Sequence, residues 1–199
     1  MTAAPKSDDP DIDAARRARL KALIARRSFA DDKEVTLASG RKSWVYFNMK
    51  PTMLDPEGAH LLAAMILDAV KDANAHCVGG MELGGVPLVA MVAAASFDRP
   101  HPLQAIFIRK KVKDHGSRQR IEGLAPFESL KGKAVVMLED VTTTGASILD
   151  AVAELRATGA EIARVVTVVD REEGARQALA AQNIELVALF TAAEFTAKK

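Results

Sequence analysis

The chain has 199 residues, 49% of them apolar, and its 27 basic and 26 acidic side chains leave a formal net charge of +1. That is one domain's length with enough apolar residue for a real core. The near-neutral charge argues against a general nucleic-acid binder, and no uncharged apolar run is long enough to span a bilayer.

Met1–Asp13 is polar and acidic, with Pro5 and Pro10, and lacks the basic and apolar regions of a signal peptide. It is expected to be a disordered tail over 1–13, followed by a single domain over 14–199. Residues 13–27 read as a basic amphipathic helix whose charges form a solvated face. Val35 to Asn48 is strand-like, broken by a turn at Ser39-Gly40. Asp55-Pro56-Glu57 then starts a helix with a cap and a first-turn proline, and Leu61, Leu62, Met65, Ile66, Ala69 and Val70 give it an apolar stripe. A repeating pattern follows: strand His76–Gly80, helix near 86–97, strand Leu103–Ile108, polar loop 109–123, strand to Leu138, helix near 146–157 stopped at Gly159, strand Arg164–Val169, helix Glu172–Ala181 and strand Ile184–Phe190. Such alternation predicts an α/β fold, a parallel sheet with helices on both faces. Cys77 is the only cysteine, so no internal disulfide forms, the setting is expected to be the cytoplasm, and the thiol is expected to be a small core group.

The most informative stretch is Lys133-Ala-Val-Val-Met-Leu-Glu139-Asp140-Val141-Thr142-Thr143-Thr144-Gly145-Ala146-Ser147. The apolar run Ala134–Leu138 reads as a strand buried on both faces. Apolar residues at 148, 149, 152 and 155 then read as a helix. Between them, small hydroxyl residues and a glycine leave backbone N–H groups open at a helix N-terminus, a cradle for phosphate. In an open parallel sheet this is the edge where ligands bind. Two acids beside a phosphate site need another partner, such as a sugar diol or a magnesium ion. No G-x-x-x-x-G-K-[ST] is present, so the cradle is not a P-loop.

Three further constellations stand out. Arg109 to Arg120 holds six Lys or Arg, with His115 and Gly116, and suits a cationic lid over a polyanion. Gly79-Gly80 and Gly84-Gly85 allow either close backbone approach to pyrophosphate or a plain turn. Arg171, just past a strand end, fits either a carboxylate clamp or an ion pair with the acids that follow it.

Together these segments resemble the type I phosphoribosyltransferase family, in its orotate-using, pyrimidine-pathway branch. The resemblance runs from about Leu20 to the chain end. It rests on Ser39-Gly40-Arg41-Lys42-Ser43 with the aromatic pair Tyr46-Phe47, on Arg109-Lys110 with Lys113-x-His115-Gly116, on the 139–147 loop and on Asp170-Arg171. It implies a type I core with a small hood, from about 14–55 plus the chain end, and a mobile lid over about 109–122. It implies transfer of a phosphoribosyl group from phosphoribosyl pyrophosphate (PRPP) to orotate. Lys113, His115 and Arg109 would reach from the lid into the site of a second subunit in a homodimer, while Lys110 serves its own. Glu139, Asp140, Val141, Thr142, Thr143, Thr144, Gly145, Ala146 and Ser147 would hold the ribose and 5′-phosphate. Thr143 and Arg171 would contact orotate. Lys113, His115, Glu139 and Asp140 are the expected catalytic set, and Mg2+ would be held mainly through PRPP rather than by protein ligands.

Two positions depart from the family pattern: Ala38 and Gly84 stand where some members carry lysine. Lys50 is the candidate replacement charge. The competing enzyme reading is transfer to another base, such as a purine, which has no carboxylate for Arg171. The competing non-enzyme reading is a PRPP-binding regulator that touches RNA, for which the helix at 13–27 offers the one basic surface outside the lid.

Overall fold

The computed structural model of the protein describes residues 10–31, 34–36, 42–111 and 120–196. The tail residues 1–9, the Ser39-Gly40-Arg41 turn with Ala38, and the lid tip with Lys113 and His115 lie outside the described residues. In chain order the elements are α1 (Pro10–Arg27), β1 (Phe29–Ala30), β2 (Val35–Thr36), β3 (Lys42–Ser43), β4 (Tyr46–Phe47), α2 (Lys50–Met53) and α3 (Pro56–Val70). Then come β5 (Cys77–Met81), α4 (Gly85–Ser96), β6 (Gln104–Ile108), β7 (Ile121–Glu122), β8 (Ala134–Thr142) and α5 (Ala146–Ala157). The chain closes with β9 (Glu161–Asp170), α6 (Ala175–Ala180), β10 (Leu186–Thr191) and α7 (Ala193–Thr196).

Local chemistry accounts for several boundaries. The Asp55 side chain accepts from the Glu57 and Gly58 backbone N–H groups at 3.1 Å each, and Pro56 opens α3 behind it. Asp11 and Asp13 lie in the first turn of α1 and Arg26 and Arg27 in its last, as the helix dipole favours. That helix starts at Pro10, three residues before the sequence pattern placed it. The β8 strand also runs on to Thr142, past the apolar run that ends at Leu138, because β9 continues to pair with it as far as Asp170.

Six strands form one sheet in the order β10-β9-β8-β5-β6-β7, parallel except for the β6–β7 pair. Alternation along β8 divides the core. Val136 and Leu138 pack with α3 and α4 residues such as Leu62, Ile66, Leu88 and Val92. Val135 and Met137 pack with α5 and α6 residues such as Ile148, Val152, Leu155 and Leu179. Cys77 belongs to the second layer, where burial pushes its thiol up to about 11, so it is inert filling.

The N-terminal segment and the chain end meet in an aromatic cluster. Phe29, Phe47 and Phe190 each lie 5.1–5.8 Å, centroid to centroid, from a neighbour in the cluster, and Phe195 touches all three. Arg17 and Lys21 reach across to Glu194 and stack over Phe190 and Phe195 respectively. Most of the other α1 cations are also paired: Arg16 with Asp13 and Asp68, Arg19 with Glu57, Arg27 with Asp55. The basic helix is therefore laced to its own chain by these pairs.

Candidate active site

The longer β8 changes where the acids sit. Glu139 and Asp140 lie on the strand itself, with Glu139 paired to Thr167 of β9, and not in the loop beyond it. Both are half-buried. Glu139 Oε2 is buried and has no hydrogen-bond partner among the described residues. Burial, and then repulsion from the adjacent Asp140, push its carboxyl well above the usual carboxylate range, against a smaller pull from Lys110. A half-buried acid with an orphaned oxygen is costly to a folded chain. A sugar diol or a cation would supply the missing partner.

Asp140 has partners of its own. Its Oδ1 accepts from the Val141 backbone N–H at 2.9 Å. The carboxylate lies flat against Gly84, where an added Cβ would meet it at 2.5 Å. A lysine at position 84, as some family members have, would collide with Asp140. The other glycines near this turn serve backbone packing. A Cβ on Gly80 would strike Gly85 at 2.9 Å, and one on Gly85 would strike Gly80 at 2.7 Å. Their smallness brings the end of β5 against the start of α4.

Beyond the acids, Gly145 adopts φ 82° and caps α5, a left-handed conformation that suits glycine. A shallow cavity is lined by Glu139 and by Val141 through Ile148. Thr144, Ala146 and Ser147 are exposed in it, and Thr143 is half-buried. The first N–H groups of α5 have no carbonyl behind them to bond, so they face the cavity as donors. Thr142 departs from the expected cradle. It is 3% exposed, its hydroxyl lies 3.5 Å from the buried Asp170 Oδ1, and its carbonyl accepts from the Arg171 N–H at 2.9 Å. Being the last residue of a paired strand, it faces the interior. Val141 likewise packs on the core and offers the cavity mainly backbone.

The described feet of the lid are fixed. The Arg109 N–H donates to the Arg120 carbonyl and Arg120 Nε donates to the Arg109 carbonyl, both at 2.8 Å. The Lys110 N–H donates to Glu82 Oε1 at 2.7 Å, which ties the lid to the Gly84 turn. Arg120 also pairs with Asp150 and Glu154 on α5. The Arg109 guanidinium rests at the foot of the lid, Nη1 lying 3.7 Å from Glu122 of the same chain. Lys110 is exposed and close enough to Glu139 to act on its charge. Lys50 is exposed at the start of α2, its backbone N–H bonded to Asn48 Oδ1 at 3.3 Å.

Of the two readings of its sequence neighbourhood, Arg171 makes the ion pair. It stands beside the cradle, yet Nη2 is held by Glu173 Oε1 at 2.8 Å and by Ser43 Oγ at 3.0 Å, with the side chain 8% exposed. Sequence reasoning gave Glu82 no part, and it placed Ser43, Arg120 and Glu173 in motifs without their contacts. Each acts through a partner far along the chain, except Glu173, whose spacing of two from Arg171 was visible.

Among the described residues no group of three or more His, Cys, Asp or Glu could hold a metal ion. The acid pair with its orphaned oxygen fits a hard cation carried in on a substrate's own oxygens.

A family model described as the phosphoribosyl transferase domain matches residues 53–185. The chain is 55% identical over 181 residues to the orotate phosphoribosyltransferase of Bradyrhizobium sp. (strain ORS 278), covering 91% of this chain and 97% of that one. Among solved structures it is similar to Mycobacterium tuberculosis H37Rv orotate phosphoribosyltransferase in complex with Fe(III) dicitrate, with TM-score 0.77, 31% identity, and coverage of 90% of this chain and 98% of the other. It is also similar to the same enzyme in complex with PRPP, with TM-score 0.74, 29% identity, and coverage of 91% and 99%.

Proposed function

The chain belongs to the type I phosphoribosyltransferase family, in its orotate phosphoribosyltransferase branch, and from that premise we propose how its residues divide the reaction. The protein transfers the 5-phosphoribosyl group from PRPP to orotate, giving orotidine 5′-monophosphate and pyrophosphate in pyrimidine biosynthesis. One observation carries the assignment of roles. The donor-rich start of α5, the unsatisfied Glu139 and the Arg171 guanidinium meet at the carboxyl edge of adjacent strands β8 and β9.

In this reading the exposed N–H groups and hydroxyls of Thr143, Thr144 and Ser147, with Gly145 and Ala146, hold the 5′-phosphate. Glu139 and Asp140 accept from the ribose 2′ and 3′ hydroxyls, which gives Glu139 Oε2 the partner it lacks. A ring nitrogen of the orotate anion attacks C1 of the ribose as the bond to the pyrophosphate oxygen breaks, and pyrophosphate leaves with that electron pair. The sugar becomes cation-like between the two events, and the acid pair stabilises it. Lys110 lies on the side of the leaving group, beside the Gly84 turn. Magnesium, bound through PRPP, supplies charge neutralisation of the pyrophosphate. Lys113 and His115, which lie outside the described residues, are assigned to the lid by resemblance, there to neutralise charge and exclude water. Arg171 and Thr143 face the base.

A homodimer is part of the same proposal. Helix α4 contains no charged residue, yet Ala90, Ala94 and Ala95 are exposed, and Phe97 beside them is 77% exposed. A helix that is apolar all round belongs in an interior, and a second copy would cover it. Among the described residues no helix is long and apolar enough to cross a membrane. With a single buried cysteine, the cytoplasm is the proposed location.

The test is loss of orotate absorbance in the presence of PRPP and magnesium, with each omitted in turn. Loss that requires all three, with orotidine monophosphate and pyrophosphate as products, is the expected result. PRPP binding without orotate consumption would point to another base.

A further inference from the structure

The loop from Asp170 to Ala175 is built to fold an acid back onto Arg171. The Arg171 N–H is fixed to the Thr142 carbonyl at 2.9 Å, and the Ala175 N–H to the Thr143 carbonyl at 3.1 Å, so both ends of the loop are pinned to the phosphate cradle. Between them, the buried Asp170 Oδ1 accepts from the Glu172 N–H at 2.9 Å, which turns the chain. Glu172 takes φ 58° and Gly174 φ 110°. A left-handed glutamate is unfavourable by itself and persists only where its surroundings impose it. The result is that Glu173 Oε1 sits 2.8 Å from Arg171 Nη2, on a guanidinium only 8% exposed, with Ser43 Oγ on the same nitrogen at 3.0 Å. Arg171 thus already carries a carboxylate from its own chain.

We propose that Glu173 is a resident carboxylate that holds Arg171 in place in the empty site and is exchanged for the carboxylate of the incoming base, which sets how tightly orotate binds. The proposal rests on the reading that Arg171 faces the base. Its physical basis is that a buried guanidinium left without an anion is costly, so an internal acid keeps the empty state folded. The substrate then gains only the difference between its own carboxylate and Glu173. A base without a carboxylate has nothing to exchange, so the pair stays closed.

The test is Glu173→Gln, which keeps the shape and removes the charge. Orotate should then meet an unopposed arginine. The expected result is a fall of about fivefold to tenfold in both the KM and the calorimetric Kd for orotate, with binding of uracil, the same ring without the carboxylate, unchanged. A residue that merely props Arg171 in place predicts the opposite sign, so an orotate KM that rises or does not move overturns the proposal. Arg171→Lys is measured alongside. If it leaves the orotate KM unchanged, the placement of the base beside Arg171 fails. If it raises KM while Glu173→Gln does not lower it, that placement stands and the exchange fails. Melting temperature is recorded for both variants, and the Kd measurement is read on protein that is folded at the assay temperature.

Discussion

The two ends of the central sheet treat their carboxylates in opposite ways. At the amino edge, Glu128 is fully partnered: Lys133 Nζ donates to it at 2.8 Å, Gln104 Nε2 at 2.9 Å and the Ala125 N–H at 3.0 Å. Those donors, Lys133 first, push its carboxyl down to about 2. Nearby, His76 Nδ1 accepts from the Ala134 N–H and locks the start of β8. At the carboxyl edge, Glu139 has an oxygen with no partner among the described residues and a carboxyl held up by burial. Both edges are polar loops on one scaffold, and both acids are half-buried. The difference is that one edge is satisfied by its own chain and the other awaits a ligand, which is the expected division between a structural end and a working end of an α/β sheet.

The comparison breaks first at Asp140. Asp140→Asn keeps the Val141 hydrogen bond but removes a charge beside the developing cation, so kcat/KM should fall about 10³-fold with little change in melting temperature. A collapse of stability would move Asp140 to the structural class. Lys113→Ala should lower kcat by about 10²-fold while the orotate Kd, measured by calorimetry, changes far less. Unchanged turnover would remove Lys113 from the lid's chemistry.

Glu139→Gln sharpens the contrast, because activity and stability should move in opposite directions. A carboxyl held above its unfolded value opposes the folded state once pH rises past about 4.3, the ordinary value for glutamate. The variant should therefore melt about 2–4 °C higher than the parent at pH 7, with the gain vanishing toward pH 4, while turnover drops. A lower melting temperature at pH 7 would mean that Glu139 is already partnered.

The smallest effect belongs to the other edge. Glu128→Gln should leave kcat unchanged and lower the melting temperature by no more than roughly 2 °C at neutral pH. Its carboxyl is held down, so its contribution is present above about pH 4.3 and is lost as pH falls through about 2. The gap between parent and variant should close in that window. A change in turnover would show that the two edges are not independent.

Much of this was legible in the sequence because it is written in short-range pattern. The strand–loop–helix of 134–157, the proline-led α3 and the β/α alternation depend on periodicity and caps within a few residues. The acid pair and the hydroxyl run marked the site by composition alone. What the sequence left open depends on pairing between distant strands. The register that sets Thr142 beside Asp170 lengthened β8, turned Thr142 inward and drew the Arg171 loop onto the cradle. The Gly80–Gly85 contact set the end of β5 against the start of α4, and the fold laid the Asp140 carboxylate against Gly84. Glu122 comes beside Arg109 because β6 and β7 pair antiparallel. Residue type and spacing determined which groups the protein can bring to the reaction. Only the tertiary structure decided which of them already have partners, since a side chain's partner is a property of the packed sheet, and no local pattern encodes it.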